Sequence, residues 1–303
     1  MRFPSRLIMA CAFLALAAPA FAASDQAHED CDADDADRNI AGCTLIIDDV
    51  AEGAHMHSIA LVGRALAFMR NGDRDRAEAD LSRAIELDPN NALAFNDRGM
   101  LWRERGDPDR AIADFTRAIA IEALPHSDLP GSGHVNIHAN RALAYQAKGD
   151  FGRAIADFDQ AVKLDPADVD LREQRARALI GNGQDERALP DLDAIIRLDP
   201  ARAFARFARG TIRYERYTRT SPWIEPSDLA GAIADLGEAI LLSPRDADIY
   251  YTRGLAFVMD GKRDRSAADF AKAAQLAPDD PKIAAMHTRY MPQATAGTFS
   301  AGR

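Results

Sequence analysis

The sequence GDPDRAIADFTRAIAIE, residues 106–122, specifies the architecture because the chain repeats it with small changes. It returns as GDFGRAIADFDQAVKLDP at 149–166, as GDRDRAEADLSRAIELDP at 72–89 and as GKRDRSAADFAKAAQLAP at 261–278. Within each copy, apolar residues recur at the three- and four-residue spacing of an amphipathic helix. The chain is therefore an array of repeats, in which each unit packs on its neighbours.

The repeat has a base period of 34 residues. Aligned on the small residue that opens the AIADF phrase, successive copies are separated by 34, 43, 34, 44 and 34 residues. Each unit contains two helical patterns, which are joined in five units by a glycine turn and followed in five by a proline. The turn glycines are Gly72, Gly106, Gly149, Gly183 and Gly261, and the prolines are Pro89, Pro166, Pro200, Pro244 and Pro278.

This combination of period, turn glycine, small residue and closing proline resembles the tetratricopeptide repeat. In such a unit, small residues let two helices approach closely and large residues fill the space between one pair and the next. The second unit supplies Phe95, Gly99 and Trp102 in its first helix, and Phe115 and Ala118 in its second. The resemblance implies an all-α protein, an α-solenoid whose helix-turn-helix units form a right-handed superhelix.

The spacing predicts six full units. They are 58–91, 92–125, 135–168, 169–202, 203–246 with an internal insertion at 218–226, and 247–280. A second insertion, 126–134, separates the second unit from the third. Residues 23–57 are predicted to form an N-terminal cap with a half-repeat whose first helix is missing or truncated. Residues 281–290 are predicted to form a capping helix, and 291–303 a disordered tail.

The first 22 residues have the composition of a secretory signal peptide. Arg2 and Arg6 precede an apolar run of about 12 residues, and an A-x-A motif ends at Ala22. The alternative, an uncleaved membrane anchor, requires roughly 20 apolar residues. We expect cleavage after Ala22, export to the periplasm of a Gram-negative bacterium, and no stable membrane insertion of the mature chain. The mature chain has 35 Lys+Arg against 47 Asp+Glu, and this acidic balance argues against nucleic-acid binding.

Export changes the interpretation of the cysteines. Only Cys31 and Cys43 remain after removal of the leader, and an oxidising compartment favours a disulfide between them. Two independent buried thiols are the alternative.

Two positions of the unit carry the same charged residue in all six copies. The arginines are Arg64, Arg98, Arg141, Arg175, Arg209 and Arg253, and the aspartates are Asp80, Asp114, Asp157, Asp191, Asp235 and Asp269. The resemblance places the arginine on the side of the first helix that faces the second, where a partly buried guanidinium needs a carboxylate. Arginine suits this role because its planar fork binds a carboxylate through two nitrogens. We predict a structural ladder; a column that binds anions is the alternative.

Catalytic and metal-binding motifs are absent from the sequence: there is no G-x-S-x-G, H-E-x-x-H or phosphate-binding glycine loop. The sequence therefore predicts a non-enzyme without cofactor or metal. By resemblance, it predicts a module that binds a peptide or protein segment in a concave groove. A self-associating envelope scaffold and an accessory subunit of an envelope enzyme are alternatives. Partner identity and oligomeric state do not follow from the residues.

The resemblance also assigns candidate groove residues. In units two to four they are polar: Asn96, Asp97, Arg103, Asn136, Asn140, Gln146, Glu173, Gln174 and Arg177. In units five and six they are aromatic: Phe204, Phe207, Tyr214 and Tyr251. The functional interpretation is a site with a polar half and an apolar half. The alternative is that the aromatic residues pack between repeats.

Overall fold

The architecture is all-helical. A computed structural model describes the backbone of residues 20–123, 131–219 and 226–290, and within these ranges the side chains of all residues except 20–24, 131–136 and 226. The described helices are α1 (Ala20–Cys31), α2 (Ala36–Asp48), α3 (Ala54–Arg70), α4 (Arg74–Leu87), α5 (Ala92–Glu104), α6 (Pro108–Glu122), α7 (Gly131–Ala147), α8 (Phe151–Leu164), α9 (Val169–Gly181), α10 (Asp185–Leu198), α11 (Ala203–Arg219), α12 (Pro226–Leu242), α13 (Ala247–Met259), α14 (Arg263–Leu276) and α15 (Pro281–Tyr290).

The helices pack as consecutive hairpins, one for each predicted unit, from α3 with α4 to α13 with α14. This confirms the predicted all-α architecture of repeated helix-turn-helix units. The chain divides into two compact units, residues 1–128 with α1 to α6 and residues 129–303 with α7 to α15.

The glycine turn ends one helix and starts the next. Gly72 has a φ of 78°, in the left-handed region that favours glycine, and the Asp73 N–H donates to the Phe68 carbonyl at 2.8 Å to close α3. The Asp73 carboxylate then accepts a hydrogen bond from the Arg76 N–H at 3.1 Å and caps α4. The glycine–aspartate pair in the repeated sequence therefore ends the first helix and caps the second.

Close approach of the two helices of a hairpin depends on a small residue. Phe115 is fully buried, and a Cβ built on Gly99 would lie 2.7 Å from its ring. Gly254 stands in the same relation to Phe270, again at 2.7 Å. Any side chain at either glycine would force the hairpin apart, so the predicted pairing of small and large residues is the actual packing of the core.

A disulfide joins Cys31 at the end of α1 to Cys43 in α2, with a Cα–Cα distance of 4.5 Å. The predicted disulfide is therefore present. It packs against the first repeat, since a Cβ on Gly63 of α3 would lie 3.2 Å from the Cys43 Sγ. The segment for which the sequence predicts a missing or truncated first helix carries α1, which has 12 residues.

Several predicted features lie outside the described residues. They are most of the signal segment, the core of both insertions including Trp223, and the tail at 291–303. Among the described helices, none combines the length and apolar character needed to cross a membrane.

Candidate functional site

The six arginine–aspartate pairs are ion pairs within single repeats. In each, the arginine Nε and Nη2 donate to the two carboxylate oxygens at 2.6–2.9 Å. The pairs are Arg64–Asp80, Arg98–Asp114, Arg141–Asp157, Arg175–Asp191, Arg209–Asp235 and Arg253–Asp269. Bonding to the aspartate raises the pKa of the Arg98, Arg141, Arg175, Arg209 and Arg253 guanidinium groups.

Four of the aspartates have a second polar side chain within hydrogen-bonding distance. The Trp102 Nε1 donates to Asp114 at 3.1 Å, Arg172 to Asp191 at 2.9 Å and Arg213 to Asp235 at 2.7 Å. The His138 Nδ1 lies 3.2 Å from Asp157. Each of these carboxylates is therefore held by two side chains of the protein itself.

A cleft with a volume of about 700 Å³ opens in the second compact unit, where α11 contributes most of its wall. We call it the α11 cleft. It is lined by Arg177, Ile180, Gly183, Asp185, Ala203, Phe204, Phe207, Ala208, Thr211, Ile212, Glu215, Arg219, Ser243, Asp246 and Ile249. Clefts of this size, mainly apolar with a few polar groups, are typical of sites that bind small molecules or side chains of a partner.

The walls of the α11 cleft combine aromatic rings with ion pairs. The Arg177 guanidinium lies 3.7 Å from the centre of the Phe204 ring and is held there by Glu173 at 2.8 Å. Arg219 pairs with Glu215 at 2.6 Å and approaches Asp185 at 3.5 Å. Both arginines are therefore neutralised by neighbouring carboxylates.

Of the four aromatic residues predicted to line the groove, two line the α11 cleft and two lie elsewhere. Phe204 and Phe207 line the α11 cleft, whereas Tyr214 and Tyr251 do not. Tyr251 packs on Phe270, with ring centres 6.0 Å apart. Tyr214 is half-buried, and burial first and then nearby tyrosines raise the pKa of its hydroxyl. Tyr251 therefore packs within its own hairpin, and Tyr214 packs against the buried cluster that includes Leu236 and Ile249.

The polar residues predicted in units three and four also differ in placement. Arg177 lines the α11 cleft and Glu173 holds it, while Gln174 is half-buried on the same helix. Asn140 and Gln146 are half-buried on α7. The Gln146 Oε1 is buried and forms no hydrogen bond within the described part of the chain. Asn136 lies in α7, and its side chain is outside the described residues.

In the first compact unit, the predicted polar residues on α5 are mostly buried. Asn96 and Asp97 are only 8% and 7% exposed, and the Asn96 Nδ2 donates to the Asp97 Oδ1 at 2.9 Å. Burial raises the pKa of the Asp97 carboxyl to about 6, and the hydrogen bond from Asn96 acts in the opposite direction. Arg103 is half-buried in the last turn of α5.

The sequence interpretation missed two sets of residues. On the surface of α3 and α5, Ile59, Leu66 and Leu93 are 45%, 38% and 43% exposed. They occupy positions of the repeat at which the sequence predicts polar groove residues in later units. In the α11 cleft, Asp185 and Asp246 were missed because each lies at a helix start rather than inside a first helix. An N-cap signal identifies Asp246 in the sequence, but it does not reveal that the side chain lines a cleft.

Comparison with known proteins supports the repeat assignment. Two family models described as tetratricopeptide repeat match the chain, one over residues 62–128 and 227–281 and the other over 135–168. Together they cover just over half of the sequence. No curated protein gives a significant sequence match.

Solved structures share the fold at low identity. YrrB, a TPR protein described as having an unusual peptide-binding site, is 20% identical with a TM-score of 0.56, over 69% of this chain and 97% of YrrB. The PilF protein of Pseudomonas aeruginosa is 14% identical with a TM-score of 0.57, over 79% of this chain and 98% of PilF.

The C-terminal part of a TPR protein from Cytophaga hutchinsonii is 12% identical with a TM-score of 0.63, over 88% of this chain and 98% of that structure. At these identities the likeness establishes the fold alone. The family matches, the six hairpins and the glycine turns all indicate the same repeat. The chain therefore belongs to the tetratricopeptide repeat proteins.

Proposed function

We propose that this protein is a non-catalytic interaction module that holds an extended protein segment in the α11 cleft. The observation that carries the proposal is the partial exposure of Phe204 and Phe207 inside a cleft of about 700 Å³. Large apolar side chains at the centre of a concave surface are typical anchors for a partner, because water is displaced from them on binding.

Polar groups around these rings can form hydrogen bonds with a peptide backbone. Thr211 and Ser243 place hydroxyl groups in the wall, while the ion pairs of Arg177 and Arg219 form its charged edges. YrrB is described as a TPR protein with an unusual peptide-binding site. The family at large is an interaction scaffold, and the α11 cleft is the surface of this chain that we propose for that role.

Site-specific photocrosslinking tests the proposal. A benzophenone amino acid at Thr211 is expected to capture a partner in cells, whereas the same group at the exposed Glu238 of α12 is the control. Combining the Thr211 probe with Phe204→Ala and Phe207→Ala is expected to abolish capture, since anchors of this kind contribute roughly 2 kcal/mol or more each. Capture that persists in this folded variant would place binding elsewhere.

The matched control for stability is Tyr217→Ala. Phe207 and Tyr217 both pack against the same buried cluster around Leu236 and Ile249, but Tyr217 does not line the α11 cleft. Its removal therefore disturbs the same core without removing the proposed anchor. Capture through Thr211 is expected to survive Tyr217→Ala while circular dichroism reports similar helical content in both variants.

We also propose that the mature protein resides in the periplasm of a Gram-negative bacterium. The A-x-A motif at Ala20–Ala22 and the disulfide between Cys31 and Cys43 support this location, because disulfides persist in oxidising compartments. Fractionation of cells and N-terminal sequencing of the mature chain provide the test. A mature chain that begins at Ala23 and is released with periplasmic proteins is expected. A chain that retains Met1 in the cytoplasm would overturn this proposal.

A further inference from the structure

Negative side chains outnumber positive side chains in the lining of the α11 cleft. Its lining includes three carboxylates and two guanidinium groups, namely Asp185, Glu215, Asp246, Arg177 and Arg219. Arg177 pairs with Glu173, which lies just outside the lining and also binds Arg202; Arg202 is balanced in turn by Asp170 and Asp199. Arg219 is shared by Glu215 and Asp185, so one of these two carboxylates remains uncompensated.

Asp246 is another carboxylate of the cleft that no cation of the described residues neutralises. It caps α13 by accepting a hydrogen bond from the Asp248 N–H at 3.0 Å, and it forms no ion pair with any residue in the described ranges. The partial positive charge of the α13 N-terminus offsets part of this carboxylate. Arg245 precedes it in sequence but is exposed and is not part of the cleft lining. The excess at the cleft therefore remains negative.

The carboxylate of Asp246 lies beside the apolar part of the cleft. Asp246 and Ile249 are one helical turn apart at the start of α13, and both line the cleft together with Phe207 of α11. Ile249 is buried, whereas Phe207 is half-buried. An apolar side chain placed on Phe207, in the part of the cleft next to the buried Ile249, thus brings its neighbour in an extended segment toward Asp246.

We propose that the α11 cleft selects basic protein segments in which an apolar side chain is adjacent to a lysine or arginine. This rests on the proposed function, and it specifies the chemistry of the partner. The apolar side chain lies on Phe207, and the cation pairs with Asp246. An acidic segment meets repulsion, because both arginines are already bound by internal carboxylates. The net charge of −10 at pH 7 adds long-range attraction for a basic partner.

Three fluorescein-labelled peptides test the selection by fluorescence anisotropy. The probe is Gly-Ser-Ala-Phe-Lys-Ala-Ser-Gly, with matched peptides that carry Gln or Glu in place of Lys. We expect the Lys peptide to bind about threefold to tenfold more tightly than the Gln peptide, and the Glu peptide to bind most weakly. The preference should shrink between about 0.05 M and about 0.5 M KCl, because salt screens exposed charges.

Asp246→Asn is the decisive variant. Asparagine caps a helix as well as aspartate does, so α13 keeps its N-cap while the charge is lost. The control is Asp280→Asn at the start of α15, where the aspartate accepts hydrogen bonds from the Lys282 and Ile283 N–H groups outside the cleft. We expect Asp246→Asn to reduce the Lys preference to within about twofold and Asp280→Asn to leave it unchanged.

Equal affinity for the three peptides, or a Lys preference that survives Asp246→Asn, would overturn the inference. Absence of binding by every peptide would overturn it as well. None of these results decides the proposed function, which is judged separately by partner capture from Thr211. A captured partner whose crosslinked segment is acidic would contradict the selection while supporting the cleft as the binding surface.

Discussion

The guanidinium of Arg253 binds the carboxylate of Asp269 through two nitrogens, with Nε and Nη2 each 2.8 Å from one oxygen. In the first, second, fourth and fifth repeats, the third nitrogen of the equivalent arginine donates to a residue of the preceding hairpin. The Arg209 Nη1 donates to Asp193 at 2.6 Å, and the Arg98 Nη1 donates to Ser82 at 3.3 Å. Within each compact unit, these arginines therefore join consecutive hairpins as well as the two helices of one hairpin.

Arg253 lacks this backward contact because the equivalent position in α12 is Gly237. A Cβ built on Gly237 would lie 3.8 Å from the Arg253 Nη1, with room for a hydroxyl. We expect Gly237→Ser to increase the free energy of unfolding by about 1 kcal/mol, since it removes a helical glycine and supplies an acceptor. Gly237→Ala is the control for helix propensity. Urea unfolding that ranks Ala above Ser would refute the contact between Ser and Arg253.

The ion pair itself is best tested where no second donor complicates it. Among the described residues Asp269 has Arg253 as its only side-chain partner. We expect Arg253→Leu to cost on the order of 3 kcal/mol because it leaves a buried carboxylate unpaired. The double variant Arg253→Leu with Asp269→Leu should recover most of that loss. A double-mutant cycle in urea that is simply additive would argue against direct coupling.

The parts of the fold that the sequence predicts are those that recur with the period. The glycine turn, Phe115 against its small neighbour, and the arginine–aspartate pair are each specified by the same residue types at the same spacing in successive units. Such contacts lie within one hairpin or between adjacent hairpins, so local spacing is sufficient to locate them.

The candidate site is less predictable because it depends on how three hairpins are tilted relative to one another. Phe204 and Phe207 were predicted as groove residues and line the cleft, yet Tyr251 at an equivalent unit position packs on Phe270. Asp246 enters the cleft from a loop before α13. Periodicity assigns a residue to a helix face, but the depth of burial of that face is set by neighbouring side chains.

The N-terminal cap depends on a close contact between its two helices. A Cβ built on Gly42 of α2 would lie 2.5 Å from the Cys31 backbone nitrogen and 2.7 Å from the Ala27 carbonyl oxygen. Because backbone atoms cannot yield as a flexible side chain can, Gly42→Ala should separate α1 from α2. We expect a loss of about 1–3 kcal/mol from overpacking.

The matched control is Gly152→Ala in α8, where the nearest atom to a new Cβ is 3.8 Å away. It should be neutral or stabilising by up to about 1 kcal/mol, because alanine favours the helix. Intact protein should contain no reactive thiol from Cys31 or Cys43. Thiol labelling after partial denaturation, with and without reductant, measures both the disulfide and the opening of the cap. Equal unfolding midpoints for Gly42→Ala and wild type would contradict the packing argument.

Asp97 gives the chain a pH-dependent element of stability. Burial raises its pKa from the ordinary 3.8 to about 6 in the folded protein. Folding therefore disfavours the ionised carboxylate. The resulting penalty is complete above the folded pKa, falls as the pH decreases through about 6, and vanishes below the unfolded value. The contribution of this group to the free energy of unfolding should accordingly rise on acidification from neutral pH.

Asp97→Asn removes the ionisable group while keeping a side chain of nearly the same shape beside Asn96. We expect this variant to be more stable than wild type at about pH 7.5 by on the order of 1–3 kcal/mol, with the difference disappearing near about pH 4. Urea midpoints of both proteins across this range measure the difference, in which the titration of all other groups cancels. Asp279→Asn, at an exposed position, should show no pH-dependent difference. A gain for Asp97→Asn that is constant with pH would mean that the side chain acts through packing, and the raised pKa would then be wrong.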